Sequence, residues 1–349
     1  STTTSAKWDG TSWTAMPNLA SGRYDGGRFG GGGSPDAAVV AGGVSAPTAT
    51  EEFHSSTNVI TAGAWAAGGG LTTARRNLAG AGIQTAALAI GGEAPRTAKT
   101  ESYNGTSWSE VGDLNTARNT LAATGSSTAA LAFGGEAPGP STATETWNGS
   151  AWTTSPNSLN TSTRSNSGFG TTSAAVNMGG FSSAPAYLAT VEEWGGTSWT
   201  TAPNSLPAAT ALLSGFGIET AGVACGGIVP PSGAQVTTTS EYGGTSWTSG
   251  GAMVTGRSSA VGGTGSQTAG LVSGGNIPAN TATAEGYDGT TWSTRPSMST
   301  ARSQGAGLGP TSVSTAGLFS GGYTTTDVAT TEEFTGETTS LNVETFSTS

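Results

Sequence analysis

The residue types that most often perform nucleophilic, acid–base or metal chemistry are scarce in this sequence. It contains one histidine, His54, and one cysteine, Cys225. A serine or cysteine nucleophile needs a histidine base, and a zinc site needs several histidine or cysteine ligands, so this pair supports neither. The adjacent carboxylates Glu51 and Glu52 would alternate between the two faces of a strand and could not act together. We therefore expect no catalytic residue, no metal and no cofactor, and predict that the protein is not an enzyme.

Arginine and glutamate, in contrast, recur at regular intervals. Only the repeat at residues 210–247 lacks both, with Thr210 and Ala211 at the arginine position and Ser240 at the glutamate position. The loss of both residues from the same repeat predicts a buried ion pair in each of the remaining repeats, because removing one partner would leave the other charge unpaired. The alternative is a ring of arginines that binds an anion at a channel mouth. The predicted pairs are Arg23 with Glu51, Arg75 with Glu101, Arg118 with Glu145, Arg164 with Glu192, Arg257 with Glu285, and Arg302 with Glu332.

These residues belong to a longer repeat that is marked by seven diglycines spaced 43 to 49 residues apart. Each diglycine closes a short apolar run such as "TAALAFGG", and an acidic–aromatic step and a Gly-Thr-Ser-Trp segment follow. Four short runs per repeat, bounded by turn residues, predict four strands. A period in the forties with four strands is typical of a β-propeller. We predict an all-β, seven-bladed β-propeller with four-stranded antiparallel blades.

The repeats predict a single domain over residues 1–349, with blades near 23–65, 75–108, 118–152, 164–199, 210–247, 257–292 and 302–347. Trp13 precedes the first complete repeat, and the last repeat has no tryptophan of its own. We therefore expect residues 1–15 to close the ring, with Gly10–Thr14 beside Ala329–Phe334, because closure hides both sheet edges. The alternative uses Leu341–Phe346 as the outer strand and leaves residues 1–14 as a linker from an upstream domain.

The segment "YNGTSW" at Tyr103–Trp108 returns in most repeats with small changes. Asn-Gly, Asp-Gly or Gly-Gly between the two aromatic residues favours a two-residue type I′ hairpin. The flanking aromatic side chains would then lie on the two outer strands and cover the gap to the neighbouring blade. We interpret this motif as part of the framework that every blade needs, and not as a ligand site.

The order of arginine, apolar strand, diglycine, Glu-x-aromatic and tryptophan resembles the kelch repeat over nearly the whole chain. Some kelch-like propellers are copper radical oxidases similar to galactose oxidase, which implies two histidine ligands and a tyrosine cross-linked to cysteine. The single His54 and Cys225 cannot supply that set. Low charge and near-identical repeats rich in Thr, Ser, Gly and Ala resemble bacteriophage virion proteins, especially tail appendages.

The loops between the diglycine and the acidic strand differ most among the repeats, as in "EAPRTAK" and "IVPPSGAQVTT". Loops diversify for binding on a fixed frame, so this face is the predicted binding face. Neutral drift of the loops is the alternative. The candidate binding residues are Pro95, Pro138, Pro185, Tyr187, Pro230 and Pro278.

Charged residues make up only 10% of the chain, and the net charge is −10. Nucleic-acid binding needs clustered lysine and arginine, so no nucleic-acid partner is expected. No run approaches the roughly 20 apolar residues of a membrane span, so no membrane insertion is expected. We predict a virion protein of the extracellular phage particle that binds other virion proteins or the host surface within a larger symmetric assembly. The alternatives are a secreted or cell-surface bacterial adhesin that binds a host glycan or receptor, and a glycan-active enzyme.

Overall fold

The computed structural model describes residues 3–8, 11–16, 18–20, 33–34, 37–41, 50–54, 59–93, 95–183, 186–259, 261–308, 314–340 and 345–348. Their long regular elements are all β-strands. Where the sequence predicted one domain, the chain forms two compact units. One unit comprises residues 63–336, and the other combines residues 1–62 with residues 337–349.

The larger unit is a β-propeller of antiparallel blades, which confirms the predicted all-β fold; five blades have the predicted four strands, and the sixth has three among the described residues. The predicted count of seven is wrong, because this ring has six blades. Their strands, from the inner to the outer, are Ala79–Ile83, Ala86–Ile90, Thr100–Tyr103 and Trp108–Glu110 in blade 1; Ala122–Gly125, Ala130–Phe133, Thr144–Trp147 and Trp152–Thr154 in blade 2; Ser167–Gly170, Ala175–Met178, Val191–Trp194 and Trp199–Thr201 in blade 3; Ser214–Ile218, Ala221–Cys225, Thr239–Tyr242 and Trp247–Ser249 in blade 4; Val261–Ser266, Ala269–Ser273, Ala284–Tyr287 and Trp292–Arg295 in blade 5; and Ala316–Ser320, Thr331–Thr335 and Ala64–Gly68 in blade 6.

The ring is closed by a strand from the start of this unit. Ala64–Gly68 pairs with Thr331–Thr335, which places Trp65 opposite Phe334. Innermost in the same blade, Ala306 forms an isolated bridge with Ser320. The expected closing strand at residues 1–15 is therefore wrong, as is the alternative strand at 341–346, because Trp65 supplies the outer strand of the last blade. The strand that carries Trp65, the tryptophan of the first repeat, is therefore the outer strand of the last blade.

The smaller unit contains the first repeat. Ser5–Trp8 pairs with Trp13–Met16, so Trp13 lies in a separate two-stranded sheet. The other strands of this unit are Gly33–Ser34, Ala37–Ala41, Thr50–His54 and Thr345–Thr348, which form one four-stranded sheet, and Val59–Thr61 with Thr338–Ser340, which form a two-stranded sheet. The four-stranded sheet takes its last strand from the C-terminal end of the chain and has the strand order of a propeller blade.

Two circuits of main-chain hydrogen bonds join the six blades. In the inner circuit, each residue donates to the carbonyl group of its counterpart in an adjacent blade, at N···O distances from 2.7 to 3.1 Å. These residues are Asn77, Thr120, Ser165, Leu212, Ser259 and Gln304, and all six have positive φ, between 48° and 62°. In the second circuit, the second glycine of each diglycine donates to the next blade, as Gly92 does to the carbonyl oxygen of Arg118 at 2.8 Å. The frame therefore depends on backbone geometry that is repeated in every blade.

The diglycines allow this close approach. Gly91 has a φ of 63°, and a β-carbon there would lie 2.5 Å from the carbonyl oxygen of Arg118 in the next blade. Gly92 has a φ of 113°, and a β-carbon there would lie 2.9 Å from the carbonyl oxygen of Arg76. Left-handed backbone and lack of space together require glycine at both positions.

The outer-strand tryptophans connect neighbouring blades, in agreement with their interpretation as framework. The indole Nε1 of Trp152 donates to Thr100 Oγ1 in the preceding blade at 3.0 Å. The same bond joins Trp108 to Thr331, Trp199 to Thr144, and Trp292 to Thr239. The turn between Tyr103 and Trp108 is not the predicted type I′ turn, because only Gly105 has positive φ. Instead, Asn104 Oδ1 accepts hydrogen bonds from the amides of Thr106 and Ser107.

Candidate functional site: the loop face of the propeller

Four of the predicted arginine–glutamate pairs are buried ion pairs within single blades. The N···O distances are 2.8 Å for Arg75–Glu101, 2.9 Å for Arg118–Glu145 and 3.0 Å for Arg302–Glu332, and Arg257 pairs with Glu285. Each of these arginine side chains is at most 1% exposed. The geometry therefore favours the structural pairing over anion binding at a channel mouth.

The pair in blade 2 shows how the guanidinium group is held. Arg118 donates through Nη1 to the carbonyl oxygens of Gly134 and Ala143, at 2.9 and 2.8 Å, and through Nη2 to Glu145 at 2.9 Å. The other carboxylate oxygen of Glu145 accepts from the amide of Asn115 at 2.7 Å. Burial lowers the pKa of Arg118, and the carboxylate of Glu145 opposes this shift. This cluster connects the segment that enters the blade to the ends of its second and third strands.

The predicted pair of Arg164 with Glu192 is wrong. Thr163, not Arg164, occupies the structural position of Arg118, because the amide of Gly135 donates to the carbonyl group of Thr163 as Gly92 does to that of Arg118. Glu192 accepts hydrogen bonds from the amides of Asn160 and Thr161 instead. Arg23 lies outside the described residues, so the pair with Glu51 is not described. Glu51 itself is buried and accepts from the amide of Ala20.

The loop face of the propeller is formed by the connections between the second and third strands of the blades. These connections are residues 93–99, 136–143, 181–190, 228–238, 276–283 and 323–330, apart from residues 94, 184 and 185. Each begins with a bridge to the segment that enters its blade, such as Arg76 with Glu93. The variable loops and the arginine-bearing connections therefore share one face of the ring, as the strand order predicts.

The predicted binding residues lie in these loops. Pro95, Pro138, Pro230 and Pro278 are exposed. Tyr187 is half-buried and its ring centroid lies 4.8 Å from that of Phe181. Pro185 falls outside the described residues. The structure places the four exposed prolines and Tyr187 on one face of the ring, and their role in binding stays a prediction.

A group of charged residues on the loop face was missed from the sequence. Arg164 Nη1 lies 3.0 Å from Glu136, and Arg96 approaches the same carboxylate at 3.6 Å. Arg76 lies 3.4 Å from Asp327 and 3.9 Å from Glu93. Their side chains are about a quarter to two-fifths exposed, so these contacts are accessible to a partner. Position in the repeat was a signal for three of these residues, because Arg76 directly follows the buried Arg75, and Glu93 and Glu136 directly follow a diglycine.

Aromatic rings accompany these charges. The guanidinium carbon of Arg76 lies 4.9 Å from the centroid of Tyr323, and that of Arg164 lies 5.7 Å from the centroid of Phe181. Blades 4 and 5 present neutral side chains at the corresponding positions, with Ile228 and Asn276. The loop face is therefore charged and aromatic over blades 1, 2, 3 and 6, and neutral over blades 4 and 5.

The opposite face carries the tight turns and is more uniform. Between blades near this face, the hydroxyl groups of tyrosines donate to glutamates, namely Tyr103 to Glu333, Tyr242 to Glu193, and Tyr287 to Glu241. Burial first, and then the bond to Glu333, raise the pKa of Tyr103 to about 12. Burial and the glutamate partners likewise raise the pKa values of Tyr242 and Tyr287.

A cavity of about 130 Å³ lies where the inner strands of the ring converge. Asn77, Thr120, Ser165 and Gln304 of the inner hydrogen-bond circuit line it, together with glycine and alanine from the inner strands. Among the described residues, no three His, Cys, Asp or Glu side chains are grouped as a metal site would require. Within the same part of the chain, no helix is long and apolar enough to cross a membrane.

Comparison with known proteins adds no family to this description. No protein-family model matches the sequence, and no curated protein matches it significantly.

Proposed function

We propose that this protein is a non-enzymatic binding propeller that holds its partner on the loop face. A propeller fold suits a binding or structural role. The observation that carries the proposal is the contrast between the two faces. Main-chain circuits repeat the frame in all six blades, whereas the loop face changes from ion pairs around Glu93 and Glu136 to neutral side chains around Ile228 and Asn276. Variation concentrated on one face of a constant frame is typical of a binding surface.

The biological setting that we propose is the tail or a tail appendage of a bacteriophage virion. There the loop face would contact other virion proteins or the host surface, within a symmetric assembly outside the cell. This step rests on the resemblance of the low-charge, Thr/Ser/Gly/Ala-rich repeats to such proteins. The kelch-like repeat order supports the propeller and is neutral on the setting. Membrane insertion and nucleic-acid binding are not part of the proposal.

A second candidate is a secreted or cell-surface adhesin that binds a glycan. It is favoured by the half-buried ring of Tyr323, which lies beside Arg76 and is bridged to Asp327, and by the half-buried ring of Tyr187 on Phe181. Sugar rings pack their apolar faces on aromatic rings while their hydroxyl groups bond to charged groups. The two candidates use the same face and differ in where the protein resides and in what it binds.

Mass spectrometry of purified phage particles tests the first setting. We expect the protein to be a stoichiometric component of particles that remains after washing at high salt. Detection only in the bacterial culture supernatant or on bacterial cells would overturn the virion setting and favour the adhesin. A glycan panel assayed for both binding and product release tests the non-enzymatic part, because release of a cleaved sugar would contradict it.

A further inference from the structure

Blade 4 lacks both the arginine and the glutamate that form the buried ion pair in blades 1, 2, 5 and 6. Thr210 stands at the arginine position and Ser240 at the glutamate position. Pro207 stands three residues before Thr210, as Asn115 stands three residues before Arg118. The amide of Asn115 donates to Glu145, and proline has no amide hydrogen to donate. The coordinated loss of all three groups leaves a differently constructed site in this blade.

A cavity of about 260 Å³ occupies this place. Thr210 and Ser240 line it, and Leu206, Leu213 and Ala224 provide apolar walls. Pro207 is among its lining residues and is exposed, so the cavity is accessible from solvent. In blades 1, 2, 5 and 6 the corresponding position holds an arginine side chain that is at most 1% exposed.

The carbonyl groups that hold the guanidinium group in other blades are kept in blade 4. Arg257 Nη1 donates to Gly274 and Thr283 in blade 5, at 2.9 Å each. Their counterparts in blade 4 are the carbonyl groups of Gly226 and Thr238, and both residues line the cavity. The amide of Gly226 still donates to Thr238 at 3.0 Å, as in the other blades. Among the described residues, no side chain donates to these two carbonyl oxygens as the arginines do elsewhere.

We propose that this cavity binds an alkylguanidinium group, such as the end of an arginine side chain. The carbonyl oxygens of Gly226 and Thr238 would accept from one nitrogen of the group, as they do from Nη1 in the equivalent blades. The hydroxyl group of Ser240 would accept from the second nitrogen, where a carboxylate stands in the other blades. Leu206 and Leu213 would contact the methylene groups. Pro207 offers no amide for a carboxylate, so the site selects hydrogen-bond donors.

Titration with n-propylguanidinium, followed by calorimetry, tests this proposal. We expect saturable binding with one site per chain, and at least tenfold weaker binding of n-propylurea, which has a similar shape and no charge. Ser240→Glu should strengthen n-propylguanidinium binding about tenfold or more, because a charged acceptor replaces a neutral one. Thr210→Arg combined with Ser240→Glu should abolish binding, because the protein's own ion pair then fills the cavity.

Titration of the unaltered protein also distinguishes the source of the group. Tighter binding of a Gly-Arg-Gly peptide than of n-propylguanidinium indicates a protein partner, and weaker binding indicates a free small molecule. Equal binding of n-propylurea, or no binding of n-propylguanidinium, would overturn the proposal.

Discussion

The amide nitrogen of Gly322 lies 2.9 Å from the carbonyl oxygen of Arg75, and this hydrogen bond joins the sixth blade to the first. A second main-chain bond, from Asn77 to Gln304 at 2.7 Å, closes the inner circuit at the same junction. The junction uses the same backbone groups as the other five junctions. The main-chain contacts at this junction thus match those of the other junctions, which leaves the loops free to differ.

The buried ion pairs predict a large stability loss when one partner is removed. Glu145→Ala leaves Arg118 buried without its carboxylate, and we expect a loss of about 3–5 kcal/mol in the free energy of unfolding. Glu110→Ala is the matched control, because Glu110 is half exposed and pairs with Lys99 at the surface. Its expected effect is at most about 1 kcal/mol. Urea denaturation of both variants measures the difference, and equal losses would contradict a structural role for the pair.

Trp247 lacks the bond that connects other tryptophans to the preceding blade. Its Nε1 is buried and has no acceptor among the described residues, because Val191 stands where four other junctions have threonine. Val191→Thr should supply the acceptor and raise the free energy of unfolding by about 1 kcal/mol. Thr144→Val removes the acceptor of Trp199 and should lower it by about 1–3 kcal/mol. Denaturation curves that move in the same direction for both variants would contradict this explanation.

The three tyrosine–glutamate bonds predict a loss of stability at high pH. The pKa of Tyr103 is raised to about 12 in the folded protein, whereas an unfolded tyrosine titrates near pH 10. The three bonds contribute fully to the free energy of unfolding below about pH 10. This contribution is lost as the pH rises through the folded-state pKa values, because the tyrosines of the unfolded chain release their protons first. Unfolding measured from about pH 9 to about pH 11.5 should show this fall. Replacing Tyr103, Tyr242 and Tyr287 by Phe should flatten the pH dependence, and an unchanged slope would contradict it.

Ring closure by Trp65 gives a prediction about two tryptophans that the sequence does not distinguish. Trp65 packs on Phe334 with ring centroids 5.2 Å apart and donates to the carbonyl group of Pro296 at 2.8 Å. Trp13 is 69% exposed. Trp65→Ala should lower the free energy of unfolding by about 2 kcal/mol, less than for a fully buried tryptophan. Trp13→Ala should change it by less than about 0.5 kcal/mol. The reverse order would favour closure by the first residues of the chain.

The sequence was sufficient for the propeller and its strand pattern, because diglycines and tryptophans mark steric and packing requirements that each blade repeats. The number of blades was not predictable from repeats alone. Seven diglycines are present, but Gly42 and Gly43 belong to the smaller unit, and only long-range pairing decides which repeats close into a ring. Trp65 shows the same limit, since its strand pairs with Phe334 more than 250 residues later.

The sequence predicted the main features of the candidate site, but one residue of the repeat was assigned one position too late. Arg164 was matched to the buried arginines by residue type, yet Thr163 precedes Gly179 by the same 16 positions that separate Arg118 from Gly134. The same separation is 17 residues for Arg257 and 19 for Arg302, so spacing alone could not distinguish Thr163 from Arg164, whereas the backbone contact of Gly135 does. The ion pairs of Arg164 with Glu136 and of Arg76 with Asp327 join different loops. Repeat spacing carries no information on such contacts.

Binding through the loop face is the central claim, and paired charge substitutions in the same blades test it most directly. One variant carries Pro138→Glu, Pro230→Glu and Pro278→Glu in the exposed loops. Its control carries Ser150→Glu, Ser246→Glu and Thr290→Glu in the exposed turns of the opposite face. The measurement is the amount of each folded variant that co-purifies with phage particles. We predict at least a tenfold loss for the loop variant and an unchanged amount for the turn variant, whereas loss for the turn variant alone would contradict the claim.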